Sequence, residues 1–261
     1  MTLIGLVPAA GQATRIAPLP CSKELFPVGF WSPGNGQDAH PRVVTHHLLE
    51  KMRRAGATRA FIVLRHGKWD IPAYFGGHFD GLDLGYLLMR RPFGVPFTLD
   101  DAYPFLRDAE VVFGFPDILF QPDHVFPCLL ERQRSTGADL AIAIFPARRP
   151  EKDDVLELDG LGRIVRIEPK RADTGLGLTW IVATWGPAFT EFMHAFVGAA
   201  ADEVAAASGR WRGREMYMSD VIWGAVQSGL HVETVSFDDG SYVDIGTPDD
   251  LAIAMREHAG V

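Results

Sequence analysis

Four charged positions in this sequence have the chemistry to handle a polyphosphate. The chain opens on an apolar run, Leu3-Ile4-Gly5-Leu6-Val7, which passes through Pro8 into the small-residue stretch Ala9-Ala10-Gly11-Gln12-Ala13-Thr14, then Arg15 and, further on, Lys23. An apolar run of this kind reads as a buried strand of a parallel sheet. The loop after it, Ala10 to Thr14, lets backbone N–H groups approach an anion closely, and Arg15 and Lys23 add full positive charges. Two aspartates, Asp117 and Asp244, each follow an apolar strand-like run, and ligands of parallel sheets gather at such strand ends. A nucleoside triphosphate is used as its magnesium complex, and Mg²⁺ is held by one or two carboxylates together with phosphate oxygens and water. The combination suits a triphosphate.

The elements that must position these residues alternate between the two periods. Val43 to Ala55 has helical spacing with Gly56 as its stop, Ala60–Leu64 and Leu84–Met89 read as strands, and Glu110–Phe115 as another. A helix over His124–Thr136, closed by Gly137, leads to a strand over Leu140–Phe145. Val155–Gly160 and Arg163–Ile167 alternate around a glycine-containing turn and predict a hairpin. Leu178–Thr184 and His231–Phe237 follow as strands, with helices near Pro187–Gly198, near Tyr217–Gln227 and from Pro248, for which Thr247 is a good N-cap. The segment Trp31 to Pro41 reads as an exposed loop. This alternation predicts an α/β fold: a mostly parallel, Rossmann-like doubly wound mixed sheet flanked by helices, in a single domain. No internal repeat stands out.

Composition narrows the classes. A chain of 261 residues, 47% apolar and 22% charged, has ordinary globular values. A formal charge of −8 lacks the basic face of a nucleic-acid binder but leaves room for local cations around a small anion. The apolar stretch at the start is short, broken by Pro8 and preceded by no basic residue, so neither a signal peptide nor a membrane span is expected, and the cytoplasm is the expected location. The two cysteines, Cys21 and Cys128, form no disulfide framework or metal motif, and the nine histidines show no ligand spacing. No Walker A sequence or nucleophile elbow is present.

The opening string A-G-x-x-T-R-I-x-P-L-x-x-S-K-E-L-F-P-V resembles the N-terminal signature of the sugar-1-phosphate nucleotidylyltransferases, the family that makes nucleotide sugars. The family's second glycine is replaced by Ala13, which fits the loop if φ there stays negative. Gly114-Phe115-Pro116-Asp117-Ile118-Leu119-Phe120 resembles the family's G-D-N-I/L-F segment, with Pro116 in place of glycine, and Tyr242-Val243-Asp244-Ile245-Gly246-Thr247-Pro248 is similar to its W-x-D-x-G-T-P segment. The resemblance makes Asp117 and Asp244 the two metal ligands. Ile167-Glu168-Pro169-Lys170 resembles the E-K-P segment, so Lys170, with Glu168 beside it, is expected to hold the phosphate of the sugar 1-phosphate. Leu178-Thr179-Trp180-Ile181 falls where relatives contact the sugar, with Thr179 as a substrate residue and Trp180 either filling that pocket or pointing elsewhere. In Met89-Arg90-Arg91-Pro92-Phe93-Gly94, Arg91 occupies the position of a base-reading glutamine and Gly94 closes the stretch. An arginine there would favour an acceptor edge such as guanine over thymine, or else turn to solvent or to the triphosphate.

The resemblance implies a nucleotidyltransferase domain over 1–261, with a nucleotide-binding half of about 1–145 and a sugar-phosphate half of about 146–261. The reaction it implies is a nucleoside triphosphate plus a sugar 1-phosphate giving a nucleoside-diphosphate sugar and pyrophosphate, with Mg²⁺ as cofactor. A homo-oligomer is compatible with the sequence; nucleic acid and membrane partners are not expected. Two alternatives stand beside it. A catalytically silent nucleotide-sugar-binding regulatory domain would accommodate Ala13 and Pro116. A metal-dependent glycosyltransferase of related fold would usually carry an Asp-x-Asp pair, which residues 115 and 119 do not supply around Asp117.

Overall fold

In the computed structural model, residues 1–31, 40–168, 170, 174–206 and 215–258 are described. The strands are β1 (Leu3–Ala9), β2 (Pro27–Trp31), β3 (His40–Val43), β4 (Arg59–Leu64), β5 (His78–Phe79), β6 (Leu82–Leu88), β7 (Glu110–Gly114), β8 (Ile118–Gln121), β9 (Leu140–Pro146), β10 (Val155–Leu158), β11 (Ile164–Glu168), β12 (Leu178–Trp185), β13 (Val232–Ser236) and β14 (Ser241–Asp244). The helices are α1 (Val44–Arg54), α2 (Asp70–Phe75), α3 (Val95–Asp100), α4 (Tyr103–Leu106), α5 (Val125–Thr136), α6 (Pro187–Ala206), α7 (Met218–Gln227) and α8 (Pro248–His258), with a 3-10 turn at Lys23–Leu25.

The main sheet runs β11-β10-β12-β7-β1-β4-β6-β5, with β9 and β13 extending from β12. Its centre, β6-β4-β1-β7, is parallel, while β12 runs antiparallel to β7. The sheet is therefore the expected mixed α/β layer, covered on both faces. One apolar cluster packs under α1 and α5, around Leu48, Met52, Phe126 and Phe145. The other packs under α3, α6 and α7, around Leu6, Phe113, Trp185 and Phe189. Burial of such aromatic and aliphatic side chains is the main force holding helices to the sheet. A third, smaller cluster of Ile16, Val28, Leu119, Val243, Ile245 and Leu251 lies beside the opening loop.

From β1 the chain steps outward to β4 and β6, then returns to the other side of β1 as β7. The strand order thus reverses at β1, and a crevice opens there above the carboxyl ends of the strands. Several sequence expectations hold closely: α5 ends at Gly137 in the left-handed conformation, with φ 70°, and Thr247 caps α8 by accepting the Asp250 N–H at 3.3 Å. The hairpin is β10–β11.

Other elements differ from the sequence reading. The loop expected over Trp31–Pro41 is framed by a two-stranded ribbon, because Pro27–Trp31 and His40–Val43 pair antiparallel; residues 32–39 lie outside the described residues. Helices α2, α3 and α4 are only a turn or two long, too short to show an apolar period. Helix α6 runs on to Ala206 through an alanine-rich stretch past Gly198, since alanine favours the helix enough to carry one glycine. Ala13 has φ +54°, not the negative value that its Cβ favours. Its carbonyl accepts the N–H groups of Ile16 (3.1 Å) and Ala17 (3.0 Å), so the tight turn that carries Arg15 imposes the left-handed backbone.

Candidate active site

The crevice over β1 is a cavity of about 840 Å³. Its wall includes the whole loop Ala10-Gly11-Gln12-Ala13-Thr14, then Arg15, Lys23, Asp117 and Gly246. The two aspartates meet through a device the sequence did not reveal. Asp117 sits between β7 and β8, Asp244 ends β14, and β8 pairs antiparallel with β14 so that Ile118 faces Asp244. The Ile245 N–H donates to the Asp117 carbonyl at 3.0 Å and locks the register.

Charges alternate across this corner. Lys23 donates to the Asp117 carboxylate, and the Arg15 guanidinium lies 3.8 Å from Asp244. Gly246 leaves room for that approach: a Cβ there would fall 2.7 Å from the Arg15 Nη2 and displace the guanidinium. Burial works against the charge on Lys23, yet Asp117 outweighs it and holds the ammonium above its usual range. Burial likewise opposes ionisation of Asp117, and the Lys23 ammonium overcomes it, holding the carboxyl below its usual range. Asp244 goes the other way: burial first, then the Asp117 charge, push it up to about 6. Among the described residues its Oδ1 is buried with no hydrogen-bond partner. Two like-charged carboxylates side by side, one with an orphaned oxygen, fit a hard divalent cation completed by phosphate oxygens. Among the described residues no cluster of three or more protein ligands exists, so such an ion would depend on its substrate for the rest of its shell.

Of the remaining expected residues, Gly94 lines the cavity and the others do not. Gly94 lines the cavity with φ +127°, and a Cβ there would come 2.1 Å from the Met216 carbonyl, so glycine lets this loop lie against Met216. Arg91 is exposed and is not among the cavity-lining residues. Lys170 is exposed, with its ammonium 5.1 Å from the centre of the Tyr217 ring. Glu168 is buried and takes a hydrogen bond from Arg166. The Thr179 hydroxyl donates to the Asp154 carbonyl at 2.8 Å, so that group is already engaged within the protein. Trp180 is a core residue: it packs against Phe113 and Phe115, and its indole N–H donates to Ser219 at 2.9 Å. Neither Thr179 nor Trp180 lines the cavity.

Sequence reasoning missed Glu24, Arg65 and His66, all in the cavity wall, and Lys68, which pairs with Glu24. Arg65 and His66 directly follow β4, and the rule that led to Asp117 and Asp244, looking just past the carboxyl ends of strands, would have found them.

The fold as a whole is shared with solved structures. Solved structures superpose over essentially the whole chain. A Bacillus anthracis protein assigned as a glucose-1-phosphate thymidylyltransferase, solved with sucrose, matches with a TM-score of 0.82 and 17% identity, covering 100% of this chain and 96% of its own. A UDP-glucose pyrophosphorylase complexed with UDP-glucose gives 0.78 and 16%, covering 98% of each chain. This is the sugar-1-phosphate nucleotidylyltransferase fold. A UTP-bound UGPase from Acinetobacter baumannii shares the nucleotidylyltransferase fold at 0.76 and 15% identity, covering 98% of this chain and 93% of that one. A curated relative, a glucose-1-phosphate thymidylyltransferase of Streptomyces antibioticus, is 24% identical over 258 residues, which is 96% of this chain. The chain spans 65% of that relative's length. No known family profile matches the chain. Among the described residues no helix is long and apolar enough to cross a membrane.

Proposed function

We propose that this chain transfers a nucleotidyl group from a nucleoside triphosphate to a sugar 1-phosphate, releasing pyrophosphate. The observation that carries the reading is the convergence of Arg15, Lys23 and Asp117 with the Ala10–Thr14 loop in the wall of one cavity, with Asp244 just behind that wall, 3.8 Å from Arg15. The match to proteins named for this chemistry, one holding UTP and one UDP-glucose, supports it. In this reading the half over about 1–145 binds the nucleotide and that over about 146–261 the sugar phosphate.

The chemistry needs little from the protein besides position and charge. A phosphate monoester has its second pKa near 6, so the sugar phosphate is already ionised at neutral pH and needs no general base. Its oxygen attacks the α-phosphorus in line, the bond from that phosphorus to the β-phosphate oxygen breaks, and pyrophosphate departs with the electron pair. The barrier is repulsion between two polyanions. Arg15 and Lys23 hold the leaving pyrophosphate, the loop N–H groups cradle the phosphates, and Lys170 receives the sugar phosphate. Asp117 and Asp244 are suited to hold Mg²⁺, which when bound neutralises charge on the α-phosphate.

A pyrophosphate-release assay with four triphosphates and a panel of sugar 1-phosphates, with and without Mg²⁺, tests the reading. Metal-dependent release with one pair is expected. Binding without release would favour a regulatory domain, and sugar transfer from a nucleotide sugar would favour a glycosyltransferase. Because Arg91 is exposed and outside the cavity wall, Arg91→Gln is expected to leave donor preference unchanged.

A further inference from the structure

The cations around the cavity are matched with carboxylates, with one exception. Arg15 faces Asp244, Lys23 is bound to Asp117, and Lys68 lies 2.6 Å from Glu24. Arg65 also lines the cavity, and among the described residues it has no ion pair and no side-chain hydrogen bond. A guanidinium in the cavity wall that has no ion pair among the described residues, in a chain of net charge −8, is placed to meet an anionic ligand.

Its position is fixed by sheet register. Leu64 pairs with Ala9 on one side and with Leu88 on the other. Arg65 therefore follows at the carboxyl edge between Ala10 and Met89, and the Met89 N–H donates to the Leu64 carbonyl at 2.7 Å. Ala10 is the first residue of the anion-binding loop.

The segment carrying Arg65 is also tied to the turn carrying Lys23, on both sides of that lysine. The Ser22 N–H and hydroxyl donate to the Asp70 carboxylate at 2.6 and 2.7 Å, and Lys68 donates to Glu24 at 2.6 Å. Gly67, with φ +96°, lets the chain fold back between Arg65 and Lys68, whose N–H reaches the Arg65 carbonyl at 3.3 Å. Thr45 donates its hydroxyl to the Glu24 carbonyl at 2.7 Å and holds the turn from below. Lys23 and Arg65 are thus carried on segments fastened to one another.

We propose that Arg65 is a phosphate-binding residue of this site, a third cation beside Arg15 and Lys23 that binds the polyphosphate of the nucleotide. The inference rests on reading the cavity as a nucleoside triphosphate site. Its planar fork suits two oxygens of one phosphate or of neighbouring phosphates. The Ser22–Asp70 and Glu24–Lys68 ties set the spacing between this fork and the Lys23 ammonium.

The test is equilibrium binding, without turnover, of the preferred nucleoside triphosphate, its monophosphate and inorganic tripolyphosphate to the wild-type chain, Arg65→Gln and Arg65→Lys. Arg65→Gln is expected to weaken the triphosphate and tripolyphosphate by about tenfold, the scale of one charge-assisted hydrogen bond, and the monophosphate by less than about threefold. Arg65→Lys should fall between, keeping charge but losing the fork. The unfolding midpoint of Arg65→Gln should match wild type, since no internal partner is lost. Unchanged triphosphate binding overturns the proposal, and so does equal weakening of triphosphate and monophosphate with tripolyphosphate binding unchanged, which would assign Arg65 to the base or ribose. A wild-type chain that binds none of the three ligands overturns the site reading itself, and the inference falls with it.

Discussion

The Lys68 ammonium lies 2.6 Å from Oε1 of Glu24, and both side chains are buried beneath the Lys23 turn. Burial pushes the Glu24 carboxyl above its usual range even with Lys68 beside it, so the pair is costly to assemble. Removing one partner should be worse than removing both. Lys68→Met is expected to lower unfolding free energy by about 3–5 kcal/mol, by leaving a buried carboxylate without its cation. Glu24→Gln with Lys68→Met should recover most of that. Urea titration of the three proteins reads it, and a double variant as unstable as the single would rule out charge compensation as the role of the pair.

At the proposed metal corner, Asp117→Asn or Asp244→Asn should lower pyrophosphate release by about 100-fold or more with the fold intact. Arg15→Lys keeps the charge but loses the fork, and should still cost about tenfold or more. Turnover near wild type in any of these variants removes that residue from the proposed chemistry.

Ala13 at φ +54° carries a Cβ where glycine is preferred. A left-handed alanine costs on the order of 1 kcal/mol, partly offset by its smaller unfolded-state entropy. Ala13→Gly is therefore expected to leave the unfolding free energy unchanged or to raise it by up to about 1 kcal/mol. A loss of about 1 kcal/mol, as for alanine to glycine in a helix interior, would show that the turn does not hold this backbone.

His46 should make the fold sensitive to mild acid. Burial first, then the Arg42 charge, lower its pKa to about 4, and its Nδ1 accepts the Val43 N–H at 3.0 Å at the start of α1. The ring also stacks on Phe79. Protonation would break that hydrogen bond and set a cation at a helix N-terminus. Below the ordinary histidine range the unfolded chain binds the proton that the folded chain refuses. Stability is thus full above about pH 6.5 and falls toward pH 4, by up to about 3 kcal/mol from this group. Unfolding measured across this window in wild type and His46→Asn checks the sign; identical pH dependence in both would remove His46 as its source.

The sequence by itself determined the alternation of buried strands and helices, and with it the class of sheet. Runs such as Ala60–Leu64 and Leu140–Phe145 are apolar for the local reason that both faces of a parallel sheet are covered. It also determined which local patterns could meet a polyphosphate: the Ala10–Thr14 loop, Arg15 and Lys23, whose spacing lies within one stretch of chain. What only the tertiary structure decided was which distant residues share that corner. The β8–β14 ribbon joining Asp117 to Asp244 is four residues per strand, too short to give a periodic signal, and its pairing is non-local. Trp180 stands in a segment that could have faced substrate, yet packing against Phe113 and Phe115 takes it into the core. Arg65 carries no motif; its place at the cavity follows from the register that sets Leu64 between Ala9 and Leu88. Local patterns decide elements because they depend on neighbours in the chain, whereas a site depends on strand order and register, which long-range packing alone fixes.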